Sequence, residues 1–329
     1  MHLFWTVLLG IVAVLWIAEA IDLTPGVMSL PSLEDAAPLP DEKCPRVSIL
    51  FAARDEADKL PGALETFLAL DYPRYEVVAV DDRSEDATGA ILASAAGKDA
   101  RLKPARVDSL PSGWLGKPHA LQQAYEHSSG EWLIFTDADV HFAPGLVRQA
   151  VALAEQRGWE HMTLLGAPKM YTMGEKIAMT FFGLAMVVGT RPWSAMDPRS
   201  RGYMGVGAFQ MVRRSAYETM GTHRRLAMEV IDDMKLGKLM KEAGARSGAA
   251  KAGFAVSVHW HAGIRNMVRG TTKNFFAASG FKLWMTAVQA LGLLLMCVFP
   301  AVALAFANGW ARVFACIAVG VPLIVAGAV

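Results

Sequence analysis

Asp137 and Asp139 stand one residue apart, directly after the apolar run Trp132-Leu133-Ile134-Phe135. Carboxylates at i and i+2 where a strand ends can share one hard cation, and that cation can hold a diphosphate. A lone Asp-x-Asp is equally what a strand followed by a solvated acidic turn looks like, so the pattern gains meaning from its company. Asp81-Asp82 close a second apolar run, Tyr75 to Val80, and Arg54-Asp55-Glu56 close a third, Arg46 to Ala53. Ligands of open α/β sheets sit beyond the carboxyl ends of strands. Acids at several such ends are much less expected by chance than one pair. Asp232-Asp233 open a stretch with helical apolar spacing at Met234, Leu236, Leu239 and Met240. There the plain alternative is capping, because acids in a first helical turn are stabilised by the helix dipole. Oxygen-only ligands suit Mg2+ or Mn2+ and disfavour zinc.

The elements that would position these acids alternate along the middle of the chain. Strand-like runs end at Ala53, Val80 and Phe135, with a further strand at 101–107 and another at 162–170. Between them lie helical patterns over 60–70, 84–96, 117–127 and 143–157. The second of these has Ser84, Asp86 and Thr88 as cap residues. Strands alternating with helices imply βαβ units and a mostly parallel sheet, and near-continuous hydrophobic strands imply burial on both faces. Gly202 to Gly207 is glycine-rich, and Phe209-Gln210-Met211-Val212 reads as a strand ending at Arg213-Arg214.

Hydrophobic residues are 53% of the 329 and charged residues 19%, with the apolar excess concentrated at the two ends. A net charge of +1 supplies no global field for nucleic acid. Three cysteines give neither a disulfide framework nor a zinc spacing. Leu3 to Ile21 is long enough to cross a bilayer as a helix. A cleavable signal peptide competes, through the small-x-small string Ala18-Glu19-Ala20. The absence of Lys or Arg from Met1-His2 favours a retained anchor over residues 1–22. Residues 23–45 carry several prolines and acids, the composition of a linker. Ile177 to Val188 is apolar but short, and reads either as a core helix or as one lying in a bilayer surface. Arg265, Arg269, Lys273 and Lys282 mark a basic segment, 264–282, ahead of a transmembrane hairpin at 283–329 that turns at Asn308-Gly309. Positive charge before the hairpin places the middle of the chain in the cytoplasm.

Taken in order, the motifs resemble those of a membrane-bound family-2 glycosyltransferase with the GT-A fold, over roughly residues 46–274. Val47 to Glu56 is similar to that family's opening strand and turn. Val80-Asp81-Asp82-Arg83-Ser84-Glu85-Asp86-Ala87-Thr88 is similar to its nucleotide-contacting segment, and Gly116-Lys117-Pro118-His119-Ala120-Leu121 to its donor-side lysine segment. Asp137-Ala138-Asp139 matches its metal motif. Ile231-Asp232-Asp233-Met234-Lys235-Leu236-Gly237 resembles its Glu-Asp-x-x-Leu-Gly motif, with Asp232 where Glu is commoner. The resemblance implies an α/β fold, a Rossmann-like mostly parallel sheet over residues 46–263, with N-terminal and C-terminal transmembrane helices. It implies Asp233 as general base and Glu56, Asp81, Asp82, Lys117, Asp137, Asp232 and Arg269 as donor-binding residues. Asp137 and Asp139 would hold Mg2+ or Mn2+. The implied partners are a nucleotide-sugar donor, a lipid acceptor and the bilayer, with no nucleic acid, and the implied place is the inner membrane with the catalytic domain in the cytoplasm.

The family's polymer-making members carry Gln-x-x-Arg-Trp, where this chain has Asn266-Met267-Val268-Arg269-Gly270 without the tryptophan. Leu110 to Lys117 and Val268 to Asn274 look more like the branch associated with hopanoid and carotenoid glycosylation. A polysaccharide synthase or polyprenyl-phosphate sugar transferase is the second reading, and a non-catalytic nucleotide-sugar-binding membrane protein the third. Arg213 and Arg214 are read either as phosphate contacts or as solvated charge. His223, His259 and His261 are read as structural rather than metal-binding.

Overall fold

The computed structural model of the chain describes residues 2–259 and 263–328. In chain order its elements begin α1 (His2–Met28), β1 (Val47–Ala53), α2 (Leu60–Leu68), β2 (Tyr75–Asp82), α3 (Thr88–Ala96), β3 (Leu102–Val107) and α4 (Gly116–Glu126). Next come β4 (Trp132–Phe135), β5 (His141–Phe142), α5 (Leu146–Arg157), β6 (His161–Pro168), α6 (Met173–Thr190), β7 (Gln210–Arg213) and α7 (Arg214–Met220). The last are α8 (Asp232–Glu242), β8 (Ser247–Val258), α9 (Ile264–Ala278), α10 (Leu283–Leu293), α11 (Phe299–Phe306) and α12 (Trp310–Ala328). Two units result. Leu30–Met170 and Pro192–Trp260 form one, and Met1–Ser29, Tyr171–Arg191 and His261–Val329 the other.

The first unit is built on one sheet of eight strands in the order β3-β2-β1-β4-β7-β6-β8-β5. β1 pairs in parallel with β2 and β4, and β2 with β3. β7 runs antiparallel to both of its neighbours, β4 and β6, while β6 and β8 are parallel. The sheet is therefore mixed but mostly parallel, as the alternation of elements predicts. β2 and β4 are buried along their whole length because both faces are covered. On one face Phe51, Ile49 and Val77 pack with Phe67 of α2, Leu92 of α3 and Val147 and Val151 of α5. On the other, Leu50, Val78 and Val80 pack with Leu121 and Ala124 of α4 and Leu236 and Met240 of α8.

The expected linker is not a free spacer. Residues 23–28 continue α1 through Pro25, and beyond them Leu33, Ala36 and Cys44 are buried. Arg148 on α5 holds this segment, donating to the Leu39 carbonyl at 2.8 Å and pairing with Asp41 at 2.7 Å. Its apolar residues, spaced among prolines, have a core to pack on.

The second unit is helical. Leu9 of α1 packs with Ala311 and Ala315 of α12, and Val12, Ala13 and Trp16 pack with Ala318. The Trp16 indole donates to the Met296 carbonyl at 2.9 Å. The Ile177–Val188 run lies in α6 and belongs to this unit, so it is not a core helix of the sheet domain. A capping box on Thr172 starts α6: Glu175 N–H donates to Thr172 at 3.2 Å, and the Glu175 carboxylate receives the Thr172 N–H at 3.2 Å. At the other end Arg191 reaches Asp22 at 2.7 Å and Glu19 at 3.0 Å on α1. Among the described residues, four helices are long and apolar enough to cross a membrane by length and composition: His2–Met28, Met173–Met196, Leu283–Phe306 and Trp310–Gly327.

Candidate active site

The shared direction of β1, β2 and β4 brings their carboxyl ends to one edge, with Ala53 level with Asp81 and Leu50 level with Phe135. The loops beyond that edge are laced together by side chains. Asp55 N–H donates to Ser84 Oγ at 3.1 Å and Glu85 N–H to the Asp55 carboxylate at 2.8 Å. Glu56 N–H donates to Thr88 Oγ1 at 2.9 Å and Ala57 N–H to Asp86 at 3.0 Å. Asp55 and Arg83 adopt positive φ, 53° and 60°, to turn into these loops.

Asp81 and Asp82 are buried at 2% and 3% exposure. Asp81 receives the Ser84 N–H at 3.0 Å and pairs with Arg106 at 2.5 Å, and Asp82 pairs with Arg83 at 2.8 Å. Arg106 and Arg83 were not singled out by the sequence reading; each is the counter-charge that allows a carboxylate to be buried. A Cβ at Gly116 would stand 2.3 Å from the Asp82 carboxylate, so glycine at the start of α4 lets the chain come this close.

Lys117 follows in the first turn of α4. Its Nζ lies 2.7 Å from Asp137 and 3.8 Å from Asp232. It thereby joins the end of β4 to the start of α8, elements whose acids are 95 positions apart in sequence. Burial alone would lower its pKa, but Asp137, Asp232 and Asp233 outweigh burial and hold it well above the ordinary lysine value. Asp139 pairs with Lys59 at 2.8 Å, a second lysine that sequence reasoning missed. Burial raises the pKa of Glu56 in the α2-side loop, and Asp139 and Asp137 add to the rise against Lys59.

Asp232 and Asp233 are the first residues of α8. Burial pushes Asp232 up to about 6, with Lys117 opposing and Asp233 and Asp137 reinforcing. Burial raises Asp233 as well, against Lys117. The Asp233 carboxylate receives the Gly207 N–H at 2.9 Å and the Met234 N–H at 2.7 Å. The glycine-rich segment thus presses on α8. A Cβ at Gly205 would stand 2.0 Å from the Asp233 carbonyl oxygen, and one at Gly237 2.0 Å from that of Met204. The sequence shows those glycines but not what they approach.

The donor chemistry fits a hard cation. Asp137 and Asp139 offer oxygen ligands only, and a Cβ at Gly207 would reach to 2.9 Å from Asp137, so glycine keeps that carboxylate clear. Among the described residues no group of three His, Cys, Asp or Glu side chains forms a ready-made ligand set. Mg2+ is typically held by one or two carboxylates together with substrate phosphates, which is what a two-acid site provides.

Several readings are corrected by position. Arg213 and Arg214 lie at the opposite edge from the acids, because β7 runs antiparallel to β4 and sets Arg213 beside Trp132. Arg213 pairs with Glu131 and Glu155, both at 2.5 Å, and Arg214 donates to the Gly130 carbonyl at 2.7 Å. They are therefore remote from the acids and have protein partners at their own edge. Arg269 is exposed on α9 and belongs to the helical unit. His223 is structural: the Tyr217 hydroxyl receives its backbone N–H at 2.9 Å and meets its Nδ1 at 2.6 Å. Burial, helped by Lys117, pushes its pKa down to about 3. His259 is half-buried, and His261 lies outside the described residues.

Residues 48–160 match the family described as Glycosyl transferase family 2. The chain is 26% identical over 233 residues to 4,4'-diaponeurosporenoate glycosyltransferase of Staphylococcus haemolyticus, covering 69% of this chain and 60% of that protein. It is 35% identical over 114 residues to beta-monoglucosyldiacylglycerol synthase of Trichormus variabilis, covering 34% and 24%. The chain thus spans less than two thirds of either relative's length. Among solved structures, a mannosyltransferase from Pyrobaculum calidifontis, in complex with GDP-Man and Mn2+, superposes with a TM-score of 0.59 at 20% identity, over 94% of this chain and 85% of that one. The sheet unit has a GT-A-like fold.

Proposed function

We propose, for a chain whose residues 48–160 are a glycosyl transferase family 2 domain, that the protein is an inverting glycosyltransferase of membrane lipids or terpenoids. Its donor would be a nucleotide-diphosphate sugar, in the first instance a UDP-sugar. One observation carries the reading: Lys117 bridges Asp137 at 2.7 Å and Asp232 at 3.8 Å, with the Asp233 carboxylate fixed beside them by Gly207. A cation for a diphosphate and an acid pair whose pKa values burial raises meet at one sheet edge. The relatives named for diaponeurosporenoate and monoglucosyldiacylglycerol support a lipid-type acceptor, and the four apolar helices support a multi-pass protein of the inner membrane. The basic residues Arg265, Arg269, Lys273 and Lys282 ahead of the last two support a cytoplasmic side for this domain.

In the proposed reaction the acceptor oxygen bonds to the anomeric carbon while the bond from that carbon to the diphosphate breaks. The nucleoside diphosphate leaves with the electron pair, and Asp233 takes the hydroxyl proton. Lys117 offsets charge on the diphosphate, and Asp81 and Asp82 line the nucleotide side. Mg2+ or Mn2+, held by Asp137 and Asp139, would supply Lewis-acid stabilisation of the leaving group. The raised pKa of Asp233 suits a base, since a proton acceptor works best when its pKa approaches the operating pH.

Membranes carrying the protein should transfer label from a UDP-sugar, or failing that a GDP-sugar, to an extractable lipid seen by mass spectrometry. Asp233→Asn should keep donor binding and lose about 10²–10⁴-fold in turnover. Asp139→Ala should lose metal-dependent donor binding in calorimetry. No labelled lipid from any donor would sink the reading, and a polymer or sugar-phosphate lipid would replace the acceptor class.

A further inference from the structure

Behind the acids lies a strip of polar side chains in an otherwise apolar layer. His161 and Thr163 of β6 and Gln210 of β7 are at most 1% exposed, and they share their layer with Val212, Leu236 and Met240. Burying polar groups is costly unless every one is paired. Here they are, and the pairing leads to α8. The neighbours of the Gln210 amide fix its orientation: Oε1 receives the Gly237 N–H at 3.1 Å and the His161 ring N–H at 2.8 Å, and the amide nitrogen donates to the Asp233 carbonyl at 3.2 Å. His161 Nδ1 meets Ser247 Oγ at 3.1 Å. The Asp233 carbonyl and the Gly237 N–H are the two halves of a single i→i+4 helical turn, so one side chain holds both.

We propose that Gln210, set by His161, is a positioning residue for Asp233: a clamp from the sheet that fixes the first turn of α8 and aims its carboxylate. The proposal rests on the reading of Asp233 as base. Apolar side chains in these places would pack the layer equally well, whereas this amide reads the backbone on either side of the candidate base. Gly207 holds the Asp233 carboxylate from one side while Gln210 holds its carbonyl from the other. With burial keeping His161 neutral, Nε2 carries the proton that Gln210 accepts.

The full-length protein serves for the test, as wild type, Gln210→Met, His161→Leu, His161→Gln and Asp233→Asn, with Gln210→Met also combined with Asp233→Asn. Hydrogen exchange needs no substrate: in Gln210→Met the amides of 233–237 should exchange at least about tenfold faster while the strands are unchanged. With the active UDP-sugar, kcat should fall about 10–100-fold in Gln210→Met and donor Kd should stay within about twofold, because small misplacement of a reacting group has that cost. Gln210→Met should add nothing to Asp233→Asn. His161→Gln, which still offers an N–H, should retain more activity than His161→Leu, and that pair decides the matter if Gln210→Met does not fold. Unchanged exchange, unchanged kcat, or an effect that multiplies with Asp233→Asn would each overturn the clamp. If wild type transfers no sugar at all, the proposed reaction falls while the exchange result still judges the clamp.

Discussion

Glu76 shows how one residue can hold the sheet without touching the acidic edge. It is 2% exposed at the start of β2, where it receives Ser48 Oγ at 2.7 Å and Ser129 N–H at 2.7 Å and pairs with Lys103 at 2.6 Å. Burial would raise its pKa, but the hydrogen bonds from Lys103, Ser48 and Ser129 prevail and pull it from 4.5 to about 2. Its stabilising effect is then full above pH 4.5 and drains away as pH falls toward 2, a contribution of about 3 kcal/mol at neutral pH. Glu76→Gln should lower the melting temperature at pH 7 by several degrees and flatten the drop below pH 4.5. Parallel acid limbs in the two proteins would refute that role. In the sequence Glu76 is one polar letter in an apolar strand, and its partners sit on β1, β3 and the loop before β4.

At the scale of elements, the close approach of the 204–207 segment to α8 makes Gly237 a packing residue. Gly237→Ala would drive a methyl group into the Met204 carbonyl and should destabilise the protein by about 1–3 kcal/mol. Thermal melts check this, and an unchanged midpoint would show that α8 can step aside. The strands that end in acids were legible because a buried parallel strand writes itself as a continuous apolar run, and the place where it stops is where its sheet opens. Asp81, Asp82 and Asp137 could therefore be gathered from the strand ends, whereas Lys117 and Asp232-Asp233 were named for the site only through the family resemblance. The direction of β7 could not, since Phe209-Gln210-Met211-Val212 reads the same either way, and that direction carries Arg213 and Arg214 to the far edge. Nor could the partnership of Gln210 with His161, 49 residues apart, or of Lys59 with Asp139, 80 apart. The apolar run of α6 gave its helicity but not its allegiance, because a helix apolar all round suits a core and a membrane alike.

For the whole molecule, four helices of spanning length predict that the protein stays in the membrane pellet through an alkaline carbonate wash and enters solution only with detergent. Release by the wash would mean that these helices lie on the bilayer rather than through it. The helical unit is also assembled from three separated stretches of chain, with the sheet unit's two stretches between them. One of its contacts joins elements far apart in sequence, Leu9 of α1 against Ala311 and Ala315 of α12. Because α1 precedes α12 with every other element between them, all of that intervening chain must be translated before the two can meet. Until then the alanine face that α12 supplies does not exist, and Leu9 of α1 lacks those partners. The sheet unit draws on no residue beyond Trp260, so its own packing does not wait for α12.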